Sequence, residues 1–135
     1  MRVYKSAAIA SMAWACMAET ASAEEMTGEE ITKLISGKTV YFDLTTASTA
    51  GVGKGIIYFG LEGSVLYKRP KGESWHGKWS PRANMLCIDW KELPSNPCSK
   101  WDKQGETITI LNSANNHIRA TVSKVADGNI EKMVP

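Results

Sequence analysis

The sequence is poor in the ligands that structural zinc prefers, with only two histidines and three cysteines. His76 and His117 stand far from each other and from the pair Cys87 and Cys98. A structural zinc site needs more ligands at closer spacing, so no metal and no cofactor are expected. A Cys-x-x-Cys pair is missing, which removes the common thiol redox motif. Neither G-x-S-x-G nor H-E-x-x-H occurs, so the signatures of a serine hydrolase and a zinc protease are absent. Charge of one sign is also lacking: 16 basic residues stand against 14 acidic ones, a net of +2. That balance suggests neither nucleic acid nor an anionic membrane surface as partner. Long apolar runs are missing too. The best of them, residues 7–18, falls short of the roughly 20 residues a bilayer-spanning helix needs, so stable membrane insertion is not expected.

That short run has another reading. Arg2 and Lys5 precede it and Ala21-Ser22-Ala23 follows, the charged, apolar and small-residue layout of a secretory signal cleaved after Ala23. Residues 1–23 are therefore read as a signal peptide and residues 24–135 as a single β-rich domain, a size that one core can serve. The expected location is the periplasm or the exterior. Cys16 leaves with the leader, and in an oxidising compartment the remaining pair, Cys87 and Cys98, reads as a disulfide. Closing a loop of about 12 residues contributes roughly 3 kcal/mol on the chain-entropy estimate.

Residues 24–37 predict a short helix. Thr27 with Glu30 three positions on makes a capping box, Gly37 is the stop, and Ile31, Leu34 and Ile35 share one face. Beyond Gly37 the apolar period changes from helical to two. KTVYFDL, GIIYFG, SVLYKR, WHGKW, MLCIDW, CSKW, TITIL and HIRATVSKV read as strands separated by turn chemistry, with Gly63 supplying a hairpin turn. The whole reads as a mostly β fold, an antiparallel meander of about eight strands. Closing it into a small, lipocalin-like barrel or curling it under the helix removes its open edges. The Ser/Thr/Gly-rich residues 45–55 read as a mobile loop, and residues 127–135 as a poorly ordered tail.

Candidate chemistry is sparse. Residues 50–55, AGVGKG, look like a phosphate loop but lack the upstream glycine, the Ser or Thr after Lys54, and a following helix. Trp75 and Trp79 share a strand face, as do Leu86, Ile88 and Trp90, and further apolar rows run through Ile108 and Ile110 and through Ile118, Ala120 and Val122. An eight-stranded barrel is just wide enough for its own side chains, so a filled core is expected; a ligand cavity, where present, is expected at Trp75, Trp79 and Trp90. His76 is placed on a polar face, and His117 on the solvent side of its strand with Arg119, Thr121 and Ser123. Lys68, Arg69 and Lys71 form a basic cluster that reads as solvated surface or as a contact for an anionic envelope component.

These motifs, in order, resemble a known family. A short helix ending Ile-Ser-Gly-Lys-Thr, then Glu-Gly-Ser, Gly-Lys-Trp, Leu-Cys-x-x-Trp, and a second Cys followed by Trp, is similar to a domain-of-unknown-function family of small exported alphaproteobacterial proteins. The likeness spans residues 27–110 and rests on Gly63, Gly77, Trp79, Leu86, Cys87, Trp90 and Cys98; here the loop between the cysteines is long and carries Pro94 and Pro97. It implies an exported bacterial β fold with a disulfide and adds no catalytic residue. The function expected is a non-enzymatic, barrel-like binding module for a small apolar ligand or for an envelope protein or glycan. One alternative is a packed-core periplasmic interaction protein acting through loops 45–55 and 91–97. Another is a small hydrolase using the carboxylates Asp43, Asp89 and Glu92.

Overall fold

The computed structural model describes residues 23–48 and 50–135. The expected signal peptide, with Cys16, lies outside the described residues apart from Ala23. Strand β1 (Glu24–Glu25) leads into helix α1 (Gly28–Ile35), and eight further strands follow: β2 (Lys38–Leu44), β3 (Gly53–Phe59), β4 (Ser64–Lys68), β5 (Ser74–Arg82), β6 (Met85–Trp90), β7 (Ser99–Gln104), β8 (Thr107–Asn112) and β9 (Ile118–Asp127). From β2 to β9 each strand pairs antiparallel with the next, and β9 pairs back with β2, closing an eight-stranded barrel. The curled-sheet alternative therefore gives way to closure.

The capping box forms as the spacing predicts: the Glu30 N–H donates to Thr27 Oγ1 at 3.1 Å and the Thr27 N–H to Glu30 Oε1 at 3.2 Å. Ile31 and Ile35 are fully buried, and α1 packs on β2, β5 and β6. Burial of two such side chains stabilises this closure by roughly 1.5–3 kcal/mol each. Gly37 ends the helix with a φ of +71°, a conformation that glycine adopts without a Cβ penalty.

β1 was not legible in the sequence. β6 and β7 pair only at Met85–Lys100 and Leu86–Ser99, after which β7 runs on past the start of β6. Glu24 and Glu25 cover the edge left open by pairing with Lys103 and Asp102, and the Met26 N–H donates to Trp101 O at 2.7 Å. The barrel thereby avoids an exposed strand edge.

Strand β9 departs from the expected period. Its pairing shifts by one residue against β8 between Ile110 and Leu111, and again against β2 between Tyr41 and Phe42. Each shift inserts one extra residue into β9, Arg119 and Ser123 respectively. A bulge turns two successive side chains toward the same side of the sheet. Two expectations are corrected: Ile118 leaves the apolar row and is 50% exposed, whereas Arg119 turns inward beside Ala120 and is 8% exposed.

Residues 45–48 and 50–52 are linked to the barrel by contacts that composition did not predict. The Thr45 N–H donates to Arg119 O at 2.9 Å, the Thr45 hydroxyl bonds Ile118 O, and Ala50 is buried. The tail is held as well: Thr39 Oγ1 donates to Gly128 O at 2.6 Å, the Gly128 N–H to Gly37 O at 2.9 Å, and the Tyr41 hydroxyl to Glu131. The poorly ordered tail expected from composition gives way to a segment anchored on β2.

Candidate ligand-binding cavity

The two ends of the barrel are built differently. Where α1 packs, the strands are joined by the tight turns 60–63, 83–84 and 105–106. At the opposite end lie the longer loops 45–52, 69–73, 91–98 and 113–117. At the helix end Ile31, Ile35, Val40, Phe59 and Val65 are fully buried. Trp79 stands there edge-on to Phe59, with ring centroids 6.0 Å apart, and its indole N–H donates to Gly60 O at 3.0 Å.

The loop end contains a cavity of about 70 Å³. The expected filled core thus holds for one end and not for the other. Aliphatic side chains such as Leu44, Ile57, Leu86 and Ile88 form part of the wall, and aromatic rings form the rest. Tyr67 packs edge-on to Trp75 at 5.8 Å and lies tilted over Trp90 at 5.3 Å, and the two indoles are themselves 5.8 Å apart. Such contacts lock the rings in one arrangement. Gly55 makes room for the cluster, since a Cβ there would come within 2.8 Å of the Tyr67 ring. Of the three tryptophans expected at a cavity, Trp75 and Trp90 line it and Trp79 does not.

Polar atoms come to this wall from Arg119, Tyr67, Trp101, Ser48, Asn96 and Ser99. Arg119 enters through the β9 bulge and donates to Asn96 Oδ1 at 3.1 Å, Ser99 Oγ at 3.3 Å and Pro97 O at 3.4 Å. Burial lowers its pKa, while the Tyr67 hydroxyl acts in the other direction. Arginine starts so high that it stays charged. Tyr67 is pushed well above the ordinary tyrosine range by burial, with Arg69 and Arg119 opposing, and so remains a neutral hydroxyl. Trp101, 1% exposed and edge-on to Phe42 at 6.0 Å, keeps a buried indole N–H with no acceptor among the described residues. Ser48 and Asn96 complete the polar part of the lining.

The disulfide shapes this end. Met85–Lys100 and Leu86–Ser99 set a register whose next pair is Cys87 opposite Cys98, and these two are bonded, with Cα atoms 4.3 Å apart. The staple anchors loop 91–98, the segment that brings Asn96 and Pro97 to Arg119. The sequence reading thus placed the disulfide correctly but not what it holds.

The basic cluster splits. Lys68 and Lys71 are exposed on the rim, whereas Arg69 is half-buried, so the solvated-surface reading is corrected for that residue. Its guanidinium lies 4.3 Å from the Trp75 ring centroid, pairs with Glu73, and donates from Nε and Nη2 to Ala50 O at 3.3 and 3.2 Å. Arg69 therefore ties loop 69–73 to loop 45–52 and backs the aromatic wall from outside. His76, assigned to a polar face, meets Glu92 with Nδ1 and Oε1 3.0 Å apart, and the His76 backbone N–H donates to both carboxylate oxygens at 3.0 Å. Burial pushes the Glu92 pKa up, but the hydrogen bonds from His76 outweigh it and hold it below the usual carboxylate range. Asp43 pairs in register with Lys54, and Asp89 with Lys78, both exposed on separate strands, so the three carboxylates do not form one site. His117 is exposed in loop 113–117, and no group of three metal-ligating side chains occurs among the described residues.

Charge is also unevenly distributed. Lys54, Lys68, Lys71, Lys91 and Lys100, with the guanidinium groups of Arg69 and Arg119, outnumber Asp43, Glu73, Asp89 and Glu92 at the loop end, while Glu24, Glu25, Glu29 and Glu30 lie around the helix together with Lys33, Lys38, Arg82 and Lys103. The resulting field favours approach of an anion to the cavity mouth, screened beyond about 8 Å at physiological salt. Comparison of the chain with protein families, curated proteins and solved structures finds no match.

Proposed function

We propose that the chain is an exported, non-enzymatic binding module whose loop-end cavity takes a small ligand with an apolar body. The observation that carries this reading is the loop end of the barrel interior, which holds an aromatic-walled space with a few convergent polar groups. The groups lining it are hydrogen-bond donors and ring faces, which suit recognition. Export is supported by the leader-like N-terminus and by the Cys87–Cys98 bond, a linkage that persists in oxidising compartments. Kinship with the small exported alphaproteobacterial family is part of the same proposal and is supported by the staple and by Trp79 and Trp90 in the core.

Native mass spectrometry on protein purified from a bacterial periplasm without refolding tests this reading. The expected result is a mature chain that starts at Glu24, is two hydrogens short of the reduced form, and carries extra non-covalent mass. A bare mass, with no small amphiphile raising the thermal midpoint, would overturn it.

One observation favours a second reading. Val52 and Ile118 are 62% and 50% exposed in or beside the rim loops. An envelope protein or glycan meeting these loops would use that surface. Capture of such a partner lost on changing Val52 or Lys71, with the cavity variants unaffected, is the result that supports it.

A further inference from the structure

We propose that the ligand of this cavity is an organic anion, a carboxylate with an apolar body, bound with its acid group at Arg119. The inference rests on the binding reading above and adds the chemistry of the ligand. Three observations meet in one place. Arg119 lies in the cavity wall, and its planar fork is held by Asn96, Ser99 and the Pro97 carbonyl. A guanidinium in a shielded site attracts a carboxylate, which would exchange with or add to the hydrogen bonds that already engage Arg119.

The neighbouring polar groups have the same preference. The Tyr67 hydroxyl, kept neutral by burial, has a proton to donate, and the Trp101 indole N–H has no acceptor among the described residues. No Asp or Glu belongs to the described lining of the cavity. A cationic or zwitterionic ligand would bring its positive charge against Arg119 and find no carboxylate in the wall. A neutral apolar molecule would match the rings while leaving these donors idle.

The body of the ligand is defined by what remains. Tyr67, Trp75 and Trp90 offer ring faces, and Leu86 and Ile88 offer aliphatic surface. A volume of about 70 Å³ encloses only a few heavy atoms. Two sources of the same chemistry fit: a short acid held entirely inside, or the head of a longer fatty acid whose chain leaves between the rim loops.

Calorimetric titration of the folded, oxidised protein with octanoate, octanamide, octylammonium, acetate and palmitate tests the inference. Octanoate is expected to bind at least about tenfold more tightly than octanamide, a difference of ~1.4 kcal/mol, and octylammonium not to bind. Acetate matching octanoate identifies the enclosed acid, and affinity rising through palmitate identifies the longer one. Arg119→Gln is expected to bring octanoate down to the octanamide level without weakening octanamide. Should that variant fail to fold, the ratio in the unaltered protein still decides. Equal binding of octanoate and octanamide would overturn the anion inference and leave the cavity reading standing. No binding by any of the five probes would overturn both.

Discussion

Arg119 on β9 and Asn96 in the loop between β6 and β7 are joined across the barrel mouth, with a guanidinium nitrogen donating to Asn96 Oδ1 at 3.1 Å. The two residues lie far apart in sequence, and a bulge on one side and a disulfide on the other bring them together. The cation in the cavity is therefore held by a segment whose own position depends on a covalent staple.

Asn96→Ala removes that hold. A hydrogen bond to a charged group contributes about 1.5–3 kcal/mol, so a modest fall in the urea midpoint is expected. The larger expected effect is on recognition, with octanoate losing part of its advantage over octanamide. A variant with unchanged preference would show that Asn96 does not position the guanidinium.

Replacing both Cys87 and Cys98 by serine releases loop 91–98. The expected loss is about 3 kcal/mol from the unfolding free energy, read as a clearly lower denaturation midpoint. Anion preference should weaken in the same variant, because Asn96 and Pro97 lose their anchor. An unchanged midpoint would contradict the structural role of the bond.

The tryptophans separate by position. Trp79→Phe removes a buried hydrogen bond to Gly60 O and should lower stability by about 1–3 kcal/mol, the cost of leaving a buried acceptor unpaired. Octanoate affinity should be unaffected by it. Trp90→Leu strips one ring from the Tyr67, Trp75 and Trp90 cluster and should weaken ligand binding. Weaker binding caused by Trp79→Phe alone would contradict the division between a packed end and a binding end.

The contact between His76 and Glu92 predicts a dependence on acid. Glu92 has a folded pKa held below its unfolded value, near 4.3 for a free glutamate. Its contribution to stability is therefore present above that unfolded value and is lost as pH falls through the lower folded one. The difference in unfolding midpoint between the unaltered protein and Glu92→Gln should shrink as pH falls below about pH 4. A difference that instead grows with acid would show that the hydrogen bonds do not favour the carboxylate.

Much of the scaffold was legible in the residues. KTVYFDL and MLCIDW are strands with the bounds that their alternation implies, and Thr27 and Glu30 cap the helix as their spacing requires. The disulfide was expected from the two cysteines that remain when residues 1–23 are read as a cleaved leader. The cavity's cation was not legible, because strict alternation along HIRATVSKV assigns Arg119 to solvent. A single bulge reverses that assignment, since shifting a strand by one residue exchanges its faces. Val122 and Val125, both packed against the core although three positions apart, signal only the second bulge, at Ser123, and not the one that turns Arg119 inward. β1 left no trace at all, because Glu24 and Glu25 contribute only backbone pairing. Nor could spacing show that loop 45–52, the Arg69 turn, the stapled loop and Arg119 share one rim, which follows only from closure of β9 onto β2.

The most direct measurement is a heteronuclear NMR titration with octanoate, following the indole N–H signals of Trp75, Trp79, Trp90 and Trp101 after assignment by single Trp→Phe variants. The signals of Trp75, Trp90 and Trp101 should move together and saturate, with Trp101 showing the downfield shift of an N–H that gains an acceptor, while Trp79 stays in place. Movement of Trp79 alone, or no movement of any indole signal at saturating octanoate, would contradict binding in the loop-end cavity.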